Sequence, residues 1–347
     1  MAGRGLSAAY ITKPVSIAYL TGFHAEPFER LMALAVRSDG ATLIVPALEH
    51  QKAAAASERA SVVSWRDGED PYALVRDAIA GCSDVAVEKE ALSLGSSETL
   101  TSRTDARNLS DVGPELRRLR RRKKQAEVDK LVRAAAITDA AGEAVMERLQ
   151  PGQTELAVAT MLGSVIGDLG GTLAFESLVQ SGPNSSLPHL RPTGRRFERG
   201  DFVLLDFGAA FEGYNADTAR MTVFGPPSEQ QRQVHQLVLE AHDAAIHAVR
   251  AGVTAGSVDA AARRVIDAGG YGDKFFHRVG HGLGLEAHED PSMDPGSATM
   301  LETGMVFTIE PGIYIPGWGG VRIEDDVMVQ PDGCRVLTSS DRALRIL

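Results

Sequence analysis

Cysteine is nearly absent from this sequence, since only Cys82 and Cys334 occur among 347 residues. Two cysteines cannot build a disulfide framework, and neither belongs to a Cys-x-x-Cys pattern that could bind zinc. This scarcity is typical of proteins from a reducing compartment. Because residues 1–14 also contain no apolar signal core, we predict a cytoplasmic protein.

Long hydrophobic runs and an excess of positive charge are missing as well. No stretch approaches the roughly 18 continuous apolar residues of a membrane-spanning helix, so we expect no membrane partner. The net charge of −10 argues against nucleic acid, which proteins bind through clustered cations. One basic run, from Arg117 to Lys124, is interpreted as the solvated face of a helix that joins two domains.

The length and pattern of the chain favour two domains. A content of 44% hydrophobic and 24% charged residues is typical of a globular protein. In the first third, short apolar runs alternate with helical stretches, which predicts a small α/β domain. A turn signal at Asp111-Val-Gly-Pro114 predicts domains of residues 1–112 and 113–347.

Two strands that end in an acid occur in the second domain. The runs FVLLDFG and MVFTIEPG predict buried strands that deliver Asp206 and Glu310. Each acid stands six residues after one glycine and two before another. Two helical segments begin near residues 150–154 and 250–254, so they are also offset by about 100 residues. We therefore predict a duplicated unit whose pseudo-twofold axis relates the two acidic strands.

Further acids and a histidine are expected near these strands. A hairpin that turns at Glu212-Gly213 places Asp217 antiparallel to Asp206, so both carboxylates can face one cavity. Four carboxylates can share a buried point only if cations offset their repulsion and desolvation. The sequence therefore predicts a site for two divalent cations, formed by Asp206, Asp217, His281, Glu310 and Glu324.

The chemistry of this ligand set narrows the choice of metal. One imidazole and four carboxylates form a hard, oxygen-rich site, which favours Mn²⁺ and accepts Zn²⁺ or Co²⁺. Taken singly, an acid in a DxG or EPG turn is more typical of a structural cap than of a metal ligand. The conjunction of five ligand-type residues with a duplicated frame favours the metal site.

The order of these motifs resembles that of the pita-bread metallopeptidases. The segments LLDFG, YNADTAR, GHGLGLEAHE, IEPGIY and RIEDD are similar to the branch with Xaa-Pro dipeptidase (prolidase) and Xaa-Pro aminopeptidase (aminopeptidase P). The similarity is strong over the second two-thirds of the chain and weaker, around SIAYLTGF, in the first third. It implies an α/β (α+β) protein with a creatinase-like first domain and a pseudo-twofold pita-bread catalytic domain.

The resemblance also implies roles for the metal ligands. Asp217 and Glu324 would bridge two ions, Asp206 would complete one coordination sphere, and His281 with Glu310 would complete the other. Two ions about 3.5–4 Å apart share a water and lower its pKa towards neutrality. The resulting hydroxide would be the nucleophile, with Glu310 expected to accept the proton of the water.

Three histidines and an arginine match residues around the substrate in such enzymes. His189, in the segment SGPNSSLPH, and His288 are expected to bind substrate and to transfer protons, and His277 to line the pocket. Arg322 is expected beside the crowded carboxylates and at the substrate. Ala219 departs from the pattern, because the family commonly has a threonine there whose hydroxyl would be missing.

The predicted activity is hydrolysis of the Xaa-Pro bond by a homodimer whose first domain walls the site. Dipeptides are favoured because a basic turn, with Arg191, Arg195 and Arg196, could receive the substrate carboxylate, although a solvated structural turn explains it equally well. Aminopeptidase P, acting on longer peptides, is the alternative. A creatinase-like amidinohydrolase or a non-catalytic binding protein is less favoured, because all five ligands are present.

Overall fold

The computed structural model describes residues 7–347. The prediction that the chain has no apolar signal core falls partly on residues 1–6, which lie outside the described residues. Two compact units divide the chain, one up to Arg120 and one from Arg121 to Leu347. Among the helices of residues 7–347, none is long and apolar enough to span a bilayer.

The first unit is built on a six-stranded mixed sheet. In chain order its elements are β1 (Ala8–Ile11), α1 (Pro14–Thr21), β2 (Ala33–Arg37), β3 (Ala41–Pro46), α2 (His50–Ala56), β4 (Ser61–Trp65), α3 (Pro71–Ala78), β5 (Asp84–Val87), α4 (Leu94–Arg103), β6 (Asn108–Asp111) and α5 (Gly113–Arg121). The strand order in the sheet is β4-β3-β2-β1-β5-β6. Apolar side chains form a core on each face of this sheet.

Helix α5 contains most of the basic run, and the run is not uniformly solvated. Leu116 packs into the core of the first unit, so residues 113–120 belong with that unit rather than with the second. Arg120 is only 5% exposed. The interpretation of the run as one solvated helix face is therefore wrong for Arg120.

The second unit combines helices with short, mostly antiparallel strand ladders. In chain order the elements are α6 (Gln125–Met146), α7 (Glu155–Asp168), β7 (Thr172–Leu173), β8 (Leu178–Ser181), β9 (Phe202–Phe207), β10 (Ala209–Phe211), β11 (Tyr214–Asn215), β12 (Thr218–Val223), α8 (Glu229–Ala248), α9 (Ala255–Ala268), β13 (His281–Gly282), β14 (Glu289–Ser292), β15 (Val306–Ile309), β16 (Gly312–Ile315), β17 (Gly319–Arg322), β18 (Asp325–Gln330), β19 (Gly333–Val336) and β20 (Arg345–Ile346). Helix α6 packs on α7, and α8 packs on α9.

The predicted duplication is visible in corresponding local features. Helices α7 and α9 both begin after a threonine whose hydroxyl caps the helix, Thr154 in one case and Thr254 in the other. Gly200 and Gly304 enter strands β9 and β15 with nearly equal positive φ angles, +87° and +88°. Each of these strands lies between two antiparallel neighbours, β8 and β12 for β9, and β13 and β18 for β15.

Alternation along β9 assigns its two faces. Val203, Leu205 and Phe207 pack in the core beneath α6 and α7, whereas Phe202 and Leu204 pack in the core beneath α8 and α9. Because successive side chains of a strand point to opposite faces, the residue at position 206 shares the second face. An acid at that position therefore lies at the end of a row of buried apolar side chains.

Candidate metal centre

The first two candidate ligands, Asp206 and Asp217, lie on neighbouring strands. Strand β12 runs antiparallel to β9, with Ala219 opposite Asp206, and Asp217 directly precedes β12. The connection turns at Glu212 and Gly213, whose φ angles of 48° and 81° are both in the left-handed region that two-residue hairpin turns require. The predicted hairpin is thus confirmed, and both carboxylates are buried.

Glu310 and Glu324 come from the second half of the repeat. Glu310 directly follows β15, and Glu324 lies between β17 and β18. An isolated bridge joins the halves, because Glu324 N donates a hydrogen bond to Ala219 O at 3.2 Å. Thr218 Oγ1 also donates to Glu324 O at 2.9 Å. Ala219 itself has no hydroxyl, so Thr218 supplies the hydroxyl that contacts the Glu324 backbone.

His281 completes the cluster from β13. Its Nε2 lies 3.3 Å from Glu310 Oε1 and 3.9 Å from Asp217 Oδ2. Ligand atoms of Asp217, His281 and Glu324 all lie within 4.8 Å of one another. The backbone N of His281 donates to Thr308 Oγ1, and that hydroxyl donates to Glu310 Oε1 at 3.1 Å. Thr308 therefore bonds to both His281 and Glu310 and holds these two candidate ligands close together.

The electrostatics of the cluster favour a cation. Burial, reinforced by the neighbouring carboxylates, raises the pKa values of Asp217 and Glu324 well above their ordinary range. Asp217 Oδ1 is buried and accepts no hydrogen bond from the described residues. Burial lowers the pKa of His281 to about 4, so its ring is neutral at pH 7. Crowded carboxylates, an orphaned oxygen and a neutral imidazole fit divalent metal ions.

Arg322 and Tyr314 lie against the acidic cluster. Arg322 is buried, and its Nη2 donates to Asp206 Oδ2 while its Nη1 donates to the Tyr314 hydroxyl at 2.8 Å. Burial opposes the charge of Arg322, but Tyr314, Asp206 and Glu310 hold its pKa above the ordinary value. Arg322 thus contacts a candidate ligand directly, and its contact with substrate stays a prediction.

Tyr314 was not identified from the sequence. Its hydroxyl lies 3.0 Å from His277 Nε2, and burial raises its pKa to about 12. A Cβ atom at Gly312 would come within 2.4 Å of that hydroxyl, so only glycine lets the ring approach. The glycine of the EPG segment, two residues before a tyrosine, was the available signal.

The three predicted substrate histidines lie in different environments. The rings of His288 and His281 have centroids 3.7 Å apart. Burial, together with His281, lowers the pKa of His288 to about 4, and burial also lowers the pKa of His277. His189 is exposed and lies three residues after the 3₁₀ turn Gly182–Ser186.

A buried ionic network behind Glu324 was missed. Arg220 Nη1 donates to Glu324 O at 2.6 Å, and its Nη2 donates to Asp325 Oδ1 at 2.7 Å. His242 Nε2 lies 3.1 Å from Asp325 Oδ2. Burial alone would raise the pKa of Asp325, but Arg220 and His242 hold it well below its usual range. Both His242 and His235 of α8 are buried.

The arginines of the basic turn after His189 form hydrogen bonds and ion pairs with neighbouring segments of the same chain. Arg195 forms two hydrogen bonds with Asp201, and Arg196 Nη1 donates to Gly152 O at 2.7 Å. Arg191 is 79% exposed and pairs with Glu176. These contacts favour a structural role for Arg195 and Arg196 over reception of a substrate carboxylate.

The strand that follows His288 is fastened by a buried ion pair. Lys123 Nζ lies 2.7 Å from Glu289 Oε1, and the two side chains are 1% and 6% exposed. A side chain at Gly284 would collide with both partners. The backbone N of Lys123 donates to Gly304 O. This lysine of the basic run is therefore a structural cation, and the solvated interpretation is wrong for it too.

Removing the cation from this pair should destabilise the second unit. We expect Lys123→Met to lower the free energy of unfolding by about 3–5 kcal/mol, because the buried Glu289 carboxylate would lose its charge-assisted contact with Lys123. Urea unfolding at pH 7 measures the change. Arg122→Met is the matched control, since Arg122 is 60% exposed in its pair with Glu302 and should change stability by at most about 1 kcal/mol. Equal losses in both variants would contradict the buried pair.

Comparisons with known proteins agree along the whole chain. Residues 129–331 match metallopeptidase family M24, and residues 1–122 match the creatinase/prolidase N-terminal domain. An Xaa-Pro dipeptidase of Lactobacillus helveticus is 38% identical, over 98% of this chain and 94% of its own.

Two solved structures are similar over almost their full length. A prolidase from Pyrococcus furiosus is 36% identical, with a TM-score of 0.91 and 99% of both chains covered. An X-Pro aminopeptidase from Thermotoga maritima is 31% identical, with a TM-score of 0.91 over 99% of this chain and 98% of its own. A protein named as a prolidase and one named as an X-Pro aminopeptidase thus share the fold of this chain.

Proposed function

The chain belongs to metallopeptidase family M24 and is a peptidase, and we propose that it cleaves the Xaa-Pro bond, with dipeptides as its preferred substrates. The observation that carries this proposal is the convergence of ligand atoms from Asp217, His281 and Glu324 within 4.8 Å. The name of the Lactobacillus helveticus relative and that of the Pyrococcus furiosus prolidase support the substrate class.

The family implies divalent metal ions, and we propose two per subunit, with Mn²⁺ preferred over Zn²⁺ and Co²⁺. The proposed ligands are Asp206, Asp217, His281, Glu310 and Glu324. When bound, such ions supply positive charge for these carboxylates and make a nucleophile from water at neutral pH. The oxygen-rich donor set and the orphaned Oδ1 of Asp217 support this choice.

The proposed catalytic residues of the chain itself are Glu310, His288 and His189. Glu310 Oε1 already accepts a hydrogen bond from Thr308, which orients the carboxylate as a proton acceptor. The depressed pKa of His288 keeps its ring neutral at pH 7, so its N–H can donate to the developing oxyanion or leaving nitrogen. His277 is proposed to line the pocket and Arg322 to orient Asp206 and reach towards the substrate.

Aminopeptidase P activity is the second candidate. The Thermotoga maritima aminopeptidase has the same TM-score as the prolidase, and Arg195 and Arg196 are bonded within their own turn. Both observations support a substrate that continues beyond proline. The family name and ligand set apply equally to the two activities, so substrate length must be tested directly.

Kinetics on matched peptides test the proposed function. We expect Xaa-Pro to be cleaved with kcat/KM about tenfold or more above Xaa-Pro-Yaa and the Xaa-Pro amide, because a charge-assisted bond to the free carboxylate contributes roughly 1.5–3 kcal/mol. The measurement uses one Xaa residue throughout, with Mn²⁺ added. Equal or faster cleavage of the tripeptide would establish aminopeptidase P activity, and no cleavage of any would refute both.

We also propose a homodimer located in the cytoplasm. Both cysteines are free thiols, as expected in a reducing compartment. Sedimentation at several protein concentrations measures the subunit number, and a mass of one chain at all of them would contradict the dimer.

A further inference from the structure

The loop that carries His189 is fastened from below by the buried amide of Gln180. Gln180 is the third residue of β8 and is fully buried. Its Nε2 lies 2.9 Å from Leu187 O, 2.9 Å from Leu190 O and 3.3 Å from Pro188 O. These carbonyl groups flank His189 on both sides. One side chain therefore holds the backbone immediately before and after the histidine.

The chemistry of these partners fixes the orientation of the amide. Carbonyl oxygens only accept hydrogen bonds, so the NH₂ group of Gln180 must face them. Its Oε1 is buried and has no hydrogen-bonding partner among the described residues. An unsatisfied buried acceptor costs about 1–3 kcal/mol. Gln180 therefore bonds to the loop through its NH₂ group.

A second buried side chain closes the two ends of the same loop. The Glu155 carboxylate accepts hydrogen bonds from the backbone N and hydroxyl of Ser181, and from the backbone N and hydroxyl of Thr193. Asn184 Nδ2 donates to it as well. Glu155 thus holds the two ends of the loop, and Gln180 holds its middle on both sides of His189.

We propose that Gln180 is a positioning residue that holds His189 at the substrate. This inference rests on the proposed function, in which His189 binds substrate and transfers protons. His189 is exposed, so packing does not hold its ring. The contacts on residues 187, 188 and 190 instead fix the backbone from which the ring extends.

The variant that tests the proposal is Gln180→Met, which keeps the length of the side chain and removes both donors. We expect kcat for Xaa-Pro to fall by about tenfold to one-hundredfold, because small misplacements of a catalytic group have effects of that size. KM should change less, and bound metal should not change, since the proposed ligands lie on other segments.

A background lacking the histidine separates positioning from general damage. If Gln180 acts through His189, Gln180→Met should cause no further loss of kcat in a His189→Ala protein. An equal loss in both backgrounds, or no loss in either, would overturn the proposal. Gln231→Met is the matched control, because Gln231 Nε2 also donates to a backbone carbonyl, Gly200 O, outside this loop. It should leave kcat unchanged.

Hydrogen exchange of the loop provides a readout that does not require activity. In the native protein the amides of Leu187 and Leu190 donate to Asn184 O and Leu187 O. Their exchange should accelerate in Gln180→Met, or in Gln180→Asn if the methionine variant does not fold. Faster exchange with no cleavage of Xaa-Pro by the unaltered protein would contradict the proposed function alone. Unchanged exchange would overturn the role of Gln180 alone.

Discussion

Asp217→Asn should abolish peptidase activity and lower metal content below two ions per chain. Asp217 lies among His281, Glu310 and Glu324, and its Oδ1 accepts no hydrogen bond from any residue that the structure describes. A neutral amide cannot replace a carboxylate shared by two cations. We expect kcat/KM to fall by more than the roughly 10–100-fold seen for residues that only support metal ligands. Elemental analysis and Xaa-Pro kinetics on the same preparation measure both effects.

The stability of the metal-free protein distinguishes ligand loss from misfolding. Burial and neighbouring carboxylates raise the pKa of Asp217, so its charge opposes the fold when no cation is bound. Metal-free Asp217→Asn should therefore unfold at a temperature no lower than the metal-free parent. Asp139→Asn is the control, because Asp139 accepts backbone hydrogen bonds from Ser339 and Ser340 outside the cluster. A fully metallated, active Asp217→Asn protein would remove Asp217 from the ligand set.

His288→Ala should lower kcat by about 10²-fold or more while both ions are retained. The rate should fall because acid–base groups contribute roughly 10²–10⁴-fold to rate. The ions should be retained because His288 is not in the proposed ligand set and only stacks on the ring of His281. Its depressed pKa makes it a neutral donor at pH 7. Single-turnover kinetics and metal analysis check the two halves of this expectation.

Two further substitutions sharpen the test of His288. His247→Ala is the matched control, because His247 is an exposed histidine of α8 that bonds only to Asp243 O in its own helix among the described contacts. It should leave kcat and metal content unchanged. His288→Asn keeps a polar donor and should recover part of the lost rate. If His288→Ala instead lost its metal, His288 would be a ligand, and the five-residue set would be incomplete.

Features encoded by local pattern were predictable from the sequence. The apolar runs before Asp206 and Glu310 form β9 and β15, and the Glu212-Gly213 turn forms the hairpin. Thr154 and Thr254 cap the paired helices of the repeat. Each depends on periodicity, capping or turn chemistry within a few residues, which is the range over which a sequence specifies its own backbone.

Contacts between distant segments were not predictable. His242 lies on the buried face of α8, four residues after Val238, but the sequence does not show that its ionic partner is Asp325 from another element. Lys123 belongs to a basic run that suggests solvent, but it meets Glu289, which lies 166 residues along the chain. Gln180 carries no motif at all. In each case the tertiary partner determines the role of the residue, and a single sequence does not name that partner.

The bridge between Ala219 and Glu324 also bears on the order of folding. Next to this bridge Thr218 donates a hydrogen bond to Glu324, and these two residues are 106 positions apart in the sequence. Contacts of such sequence separation form only after the entropy of closing the intervening chain has been offset, whereas the Glu212 hairpin closes locally and early. We expect Asp206 and Asp217 to be neighbours long before Glu324 joins them. Catalytic competence would then arise in the final docking of the two halves, so a partly folded chain could not cleave peptides.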